Sequence, residues 1–156
     1  MGYLTTSSSD LQSSIDQLKA CVIDRRSDNI RYRQNELYGL YVDLQSHWDE
    51  LCSAVRRDTS CSTEEAELEC YLALDSVRQS YEGLDFEKSL KDEYLVKTGS
   101  DFLNKRAPHG LLIILPTTHT RLYSILTTVA AAKAAGNCVL LQVSCWFDSA
   151  LNVGLS

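Results

Sequence analysis

Residues 107–144 read APHGLLIILPTTHTRLYSILTTVAAAKAAGNCVLLQVS, and this stretch decides the fold. Leu111, Leu112, Ile113, Ile114 and Leu115 form a short apolar run between Gly110 and Pro116, the pattern of a strand covered on both faces. A polar loop, residues 117–121, leads into residues 122–135, which are apolar around most of a helical circumference. They stop at Gly136-Asn137, residue types that tolerate left-handed backbone at a helix C-terminus. Cys138, Val139, Leu140 and Leu141 then resume an apolar run. Strand, helix and strand at these lengths predict a right-handed crossover between parallel strands.

Upstream the pattern is helical. Residues 1–8 are polar and rich in serine and threonine, and a disordered N-terminus is expected there. Ser9 and Gln12 have capping-box spacing, and Leu11, Ile15, Leu18 and Val22 recur at helical intervals, which predicts a helix over 9–23. After the charged turn DRRSDN, the stripe Leu37, Tyr41, Leu44, Trp48, Leu51 and Val55 predicts a second helix over 29–58. Ser62 and Glu65 offer another capping box, and Cys70, Leu74, Val77, Tyr81 and Leu84 predict a third helix over 62–94. Residues 94–106 read as a small hairpin or an irregular connection. The fold class is therefore α/β and helix-rich: three N-terminal helices packed on a minimal parallel βαβ unit at 110–143, in a single domain over 9–156.

Composition excludes several roles. With 156 residues, 44% of them hydrophobic, the chain can bury a real core as one domain. A net charge of -6 argues against nucleic acid, because phosphate neutralisation needs clustered Lys and Arg, and the basic spots here are only two residues long. No stretch has the length and continuity of a membrane span, and the N-terminus lacks the pattern of a secretory signal, so a cytoplasmic protein with reduced thiols is expected. The six cysteines show no metal-ligand spacing, and no metal site is expected. The nine-residue spacing of Cys52, Cys61 and Cys70 puts successive thiols on opposite faces of any one helix and reads as coincidence.

The frame from Pro108-x-Gly110 through the apolar strand to Ala134-Ala135-Gly136-Asn137 and a strand ending at Ser144 closely resembles the start of the dinucleotide-binding domain of aldehyde dehydrogenases. Arg33-x-x-Glu36-Leu37-Tyr38-x-Leu40 and Ala54-Val55-Arg56-Arg57-Asp58 resemble N-terminal helices of the fatty-aldehyde branch, so that residues 24–145 are covered. The resemblance implies an incomplete NAD-binding domain. It also marks where this chain departs. The family's loop after the first strand is aromatic-Asn-aromatic-Pro, and that Asn donates to the oxyanion; here the positions read Thr118-His119-Thr120-Arg121. The family's second strand ends Lys-Pro-Ser-Glu, with Lys and Glu on the ribose of NAD; here it ends Gln142-Val143-Ser144-Cys145.

His119 is thus the candidate catalytic residue. It stands after a parallel strand and before a helix, where ligands bind in open α/β sheets, and it can serve as donor or base or face solvent as an ordinary loop histidine. Gln142 and Ser144 are the candidate cofactor-binding residues by the same resemblance. Exchange of Lys for Gln removes a charge-assisted hydrogen bond worth roughly 1.5–3 kcal/mol, so NAD affinity is expected to be weak or lost. Cys145, in place of the family's Glu, reads as an inert thiol. The family's catalytic Cys and general-base Glu lie downstream of the matched region, and no residue here takes those roles. The expectation is a truncated aldehyde dehydrogenase-like protein without independent aldehyde oxidation, acting as an accessory or binding protein. Its partner is expected to be a second copy or a full-length relative, engaged through an exposed strand edge. The alternatives are a repurposed enzyme using the pocket around His119 on a small carbonyl or apolar substrate, and a residual oxidoreductase within a complex.

Overall fold

The computed structural model describes residues 8–97, 99, 107–117 and 119–142. Of the expected disordered start, residues 1–7 lie outside these, and Ser8 is already helical. Ser144 and Cys145 also lie outside, as does most of 94–106. Among the described residues the chain forms α1 (Ser8–Asp24), a 3-10 turn (Arg26–Asp28), α2 (Ile30–Ser46), α3 (Trp48–Thr59), α4 (Thr63–Glu82), α5 (Phe86–Lys97), β1 (Leu111–Ile114), α6 (Arg121–Ala134) and β2 (Cys138–Leu141).

Five helices therefore precede β1, not three. The expected second helix divides at His47, whose backbone leaves the helical region (φ -108°, ψ 23°). Ser46 Oγ donates to the carbonyl of Asp43 at 2.8 Å, and His47 Nδ1 lies 2.9 Å from the same oxygen. The same carbonyl still accepts His47 N–H at 3.2 Å, so side chains and backbone share it at the break. Leu51 N–H donates to His47 O at 3.0 Å, so α3 starts at once. The apolar stripe survives the break, with Leu44 and Trp48 packed on one core. The expected third helix divides at Gly83. Asp85 then accepts from Lys88 N–H at 3.0 Å and starts α5, so the charged run opens a new helix.

The core lies where α4 and α6 meet, with α2 and α3 closing it. Ala66, Cys70, Ala73 and Val77 of α4 face Leu122, Leu126 and Ala130 of α6, with Leu37, Leu51 and Val55 around them. Small residues at every third or fourth position of α4 admit close helix approach. Arg33 and Glu36 fasten the far end of α6: Arg33 Nη1 donates to Ala134 O at 2.6 Å, and Lys133 Nζ is 2.7 Å from a Glu36 carboxylate oxygen.

The predicted crossover is parallel, with Leu111 opposite Cys138 and Ile114 opposite Leu141. Cys138 N–H to Gly110 O (2.7 Å) and Gln142 N–H to Ile114 O (3.0 Å) extend the ladder at both ends. The helix stop is also as read. Asn137 N–H donates to Ala132 O and Gly136 N–H to Lys133 O, with Gly136 at φ 86°, which is a Schellman ending. One expectation fails: β1 is not covered on both faces. Ile113 is 60% exposed and Leu115 68%. The described sheet has two strands, and α1 and α6 together leave part of it open.

Candidate functional site

A cleft of about 680 Å³ opens at the C-terminal end of β1, between the last turns of α3, the first half of α4 and the start of α6. Its volume falls within the range usual for small-molecule sites. Helical spacing explains the floor: Leu51 and Val55 are one turn apart on α3, and with Leu122 of α6 they are buried. Leu68 and Leu72, one turn apart on α4, form the rim with Tyr123 and are largely exposed, at 58% and 45% for the two leucines.

Polar groups gather at the mouth. Asp58, Glu65 and Glu69 line it on one side, and His119 and Arg121 on the other. His119 is exposed, and its carbonyl accepts from Thr117 Oγ1 at 2.7 Å. Its ring has no hydrogen-bond partner among the described residues. Thr120 follows in left-handed backbone (φ 44°) at the N-cap of α6, without a side-chain capping bond. The cap comes from another helix: Glu69 accepts from Tyr123 N–H at 3.2 Å. A carboxylate therefore fills the positive end of α6, the place where a helix would otherwise receive an anionic ligand.

The three sequence-predicted site residues are not brought together. His119 lines the cleft, as expected of a strand-end loop. Gln142 is exposed, continues the β-ladder and does not line it. Ser144 lies outside the described residues. Sequence reading missed Glu69, whose partner is 54 positions away. It also missed Leu68 and Leu72, although two leucines one turn apart, off the core stripe of α4, were a usable signal.

Cys61 also lines the cleft, and Cys52 and Cys70 sit behind it. Burial pushes both of the latter thiols up from the ordinary cysteine range, most strongly Cys70. Neither is an activated nucleophile. Among the described residues no group of His, Cys, Asp and Glu is arranged to hold a metal ion, and no helix is long and apolar enough to cross a membrane.

No protein-family model matches the chain, and no solved structure matches it. Over 138 residues it is 27% identical to aldehyde dehydrogenase family 3 member B1 of Mus musculus. The chain is similar to an aldehyde dehydrogenase. The match covers 85% of this chain and 29% of that relative, so the chain spans less than a third of the relative's length. At this identity the likeness points to an aldehyde dehydrogenase relationship, in line with the frame around β1, α6 and β2.

Proposed function

We propose that the chain is an aldehyde dehydrogenase-like binding or accessory protein that takes up an uncharged, largely apolar molecule in the cleft beside His119 and does not oxidise aldehydes with NAD on its own. The observation that carries this reading is the cleft itself: an apolar floor and rim of ligand-sized volume under an acidic mouth. Asp58, Glu65 and Glu69 disfavour an anion, and Glu69 already holds the start of α6. An NAD site is disfavoured because Gln142 stands where the family places the ribose-binding Lys. Aldehyde oxidation is disfavoured because His119 stands where the family places the oxyanion-donating Asn; losing one such donor typically costs on the order of a hundred- to a thousandfold in turnover. A cytoplasmic location belongs to the same proposal.

Calorimetry with a medium-chain aliphatic aldehyde, the matching alcohol and NAD tests this reading. The aldehyde and alcohol are expected to bind, and Leu72→Glu to weaken them by roughly 10- to 100-fold, the equivalent of losing one buried leucine contact of ~1.5–3 kcal/mol. NAD is expected to give no heat at millimolar concentration. Absence of binding by either apolar ligand overturns the cleft reading, and NAD reduction in the presence of aldehyde overturns the accessory one.

The position of His119 on the cleft wall favours a second reading, acid–base chemistry on a small carbonyl. There His119→Ala abolishes turnover with the helical circular dichroism unchanged; turnover equal to that of the parent chain removes it.

A further inference from the structure

The nine-residue spacing of Cys52, Cys61 and Cys70 is not a coincidence without consequence once α3 and α4 are seen as a helical hairpin. Cys61 lies in the link between the two helices, and residues equally far from the link on either side come level with each other. Cys52 and Cys70 accordingly meet across the α3–α4 contact. Both pack in one apolar cluster, Cys70 within it and Cys52 against it. The two are free thiols, Cys70 buried and Cys52 partly exposed.

We propose that Cys52 and Cys70 form a reversible oxidation site, closing to an intramolecular disulfide that ties α3 to α4 when the chain meets a low-molecular-weight disulfide such as oxidised glutathione. Cys52 is the entry point because solvent reaches it. Its thiolate attacks one sulfur of glutathione disulfide, giving a mixed disulfide at Cys52 and releasing one glutathione, which takes up the proton Cys52 lost. Cys70, too buried for an outside oxidant but level with Cys52 in the same cluster, then attacks the Cys52 sulfur and releases the second glutathione, which takes the Cys70 proton. Two protein thiols are oxidised and one glutathione disulfide is reduced to two thiols. Burial, with the carboxylates of Glu67 and Asp49, holds Cys52 largely protonated, so the first step is slow. Leu51 and Val55 on α3 face Leu68 and Leu72 on α4 across the cleft, and the bond between the helices holds these walls at one spacing.

The test is incubation of the folded chain with excess oxidised glutathione, alkylation of the remaining thiols, and mass mapping of tryptic peptides. Arg56 and Arg57 separate Cys52 from the peptide that holds both Cys61 and Cys70. The expected product is an intramolecular link between these two peptides that survives Cys61→Ser, disappears in Cys52→Ser and reverts with dithiothreitol. Cys52→Ser serves as the negative control because Cys70→Ser alters a fully packed core position. A Cys52–glutathione adduct that never resolves, a link lost in Cys61→Ser, or a link between two chains overturns the proposal.

Discussion

Asn137 is a polar residue that the fold buries, and it joins the starts of the two strands. Its side-chain oxygen accepts from Gly110 N–H at 3.1 Å, its amide reaches Ala132 O at 3.4 Å, and its backbone N–H completes the ending of α6. Asn137→Ala leaves a part-buried N–H without its acceptor, and it is expected to lower stability by ~1–3 kcal/mol. A fall in the urea midpoint with an unchanged slope is the signature. The Gly136-Asn137 stop was legible in sequence because left-handed tolerance belongs to the residue type. The bond to Gly110 was not, since nothing local ties two positions 27 residues apart.

Among the elements, α4 carries the clearest local instruction. The Ser62–Glu65 capping box forms in both directions, with Glu65 N–H donating to Ser62 Oγ at 3.2 Å and Ser62 N–H to the Glu65 carboxylate at 3.0 Å. Ser62→Ala is expected to cost about 1 kcal/mol, measurable as a drop in thermal midpoint. The helix stripes were legible because a kink at His47 leaves the apolar spacing intact. For the same reason the kink was not: Leu44 and Trp48 keep their faces whether or not the backbone between them is regular. Of the cleft, the place beside His119 was legible from its position after a strand, but the rest was not. Its floor residues look like ordinary core positions of separate helices, and only the packing of α6 and α3 on α4 leaves a space among them.

At the scale of the whole molecule, the open part of the sheet is what another chain can use. Ile113 in β1 and Leu115 just after it expose apolar side chains beside a strand with one partner among the described residues, an arrangement that invites pairing. A solution mass above that of one chain, reduced by Ile113→Lys, is the outcome expected if a second copy covers this region. A monomer at all accessible concentrations counts against self-association and leaves a different partner as the remaining form of the accessory reading. The α/β class and the parallel crossover were legible because apolar runs of strand length flank a helix with a clean stop. The exposure of β1 was not, because a continuous apolar run specifies what a strand tolerates and says nothing about how much of it the rest of the chain covers.

The parallel pairing of β1 with β2 also sets an order in time. Contacts among α2, α3 and α4 are close in sequence and form early, whereas β1 cannot find its partner until α6 and the turn after it have been made. During synthesis the helical hairpins leave the ribosome and pack while Leu111–Ile114 is still without a neighbouring strand. The interval before β2 emerges is therefore the one in which this chain is most exposed to aggregation, and the one a chaperone has reason to guard.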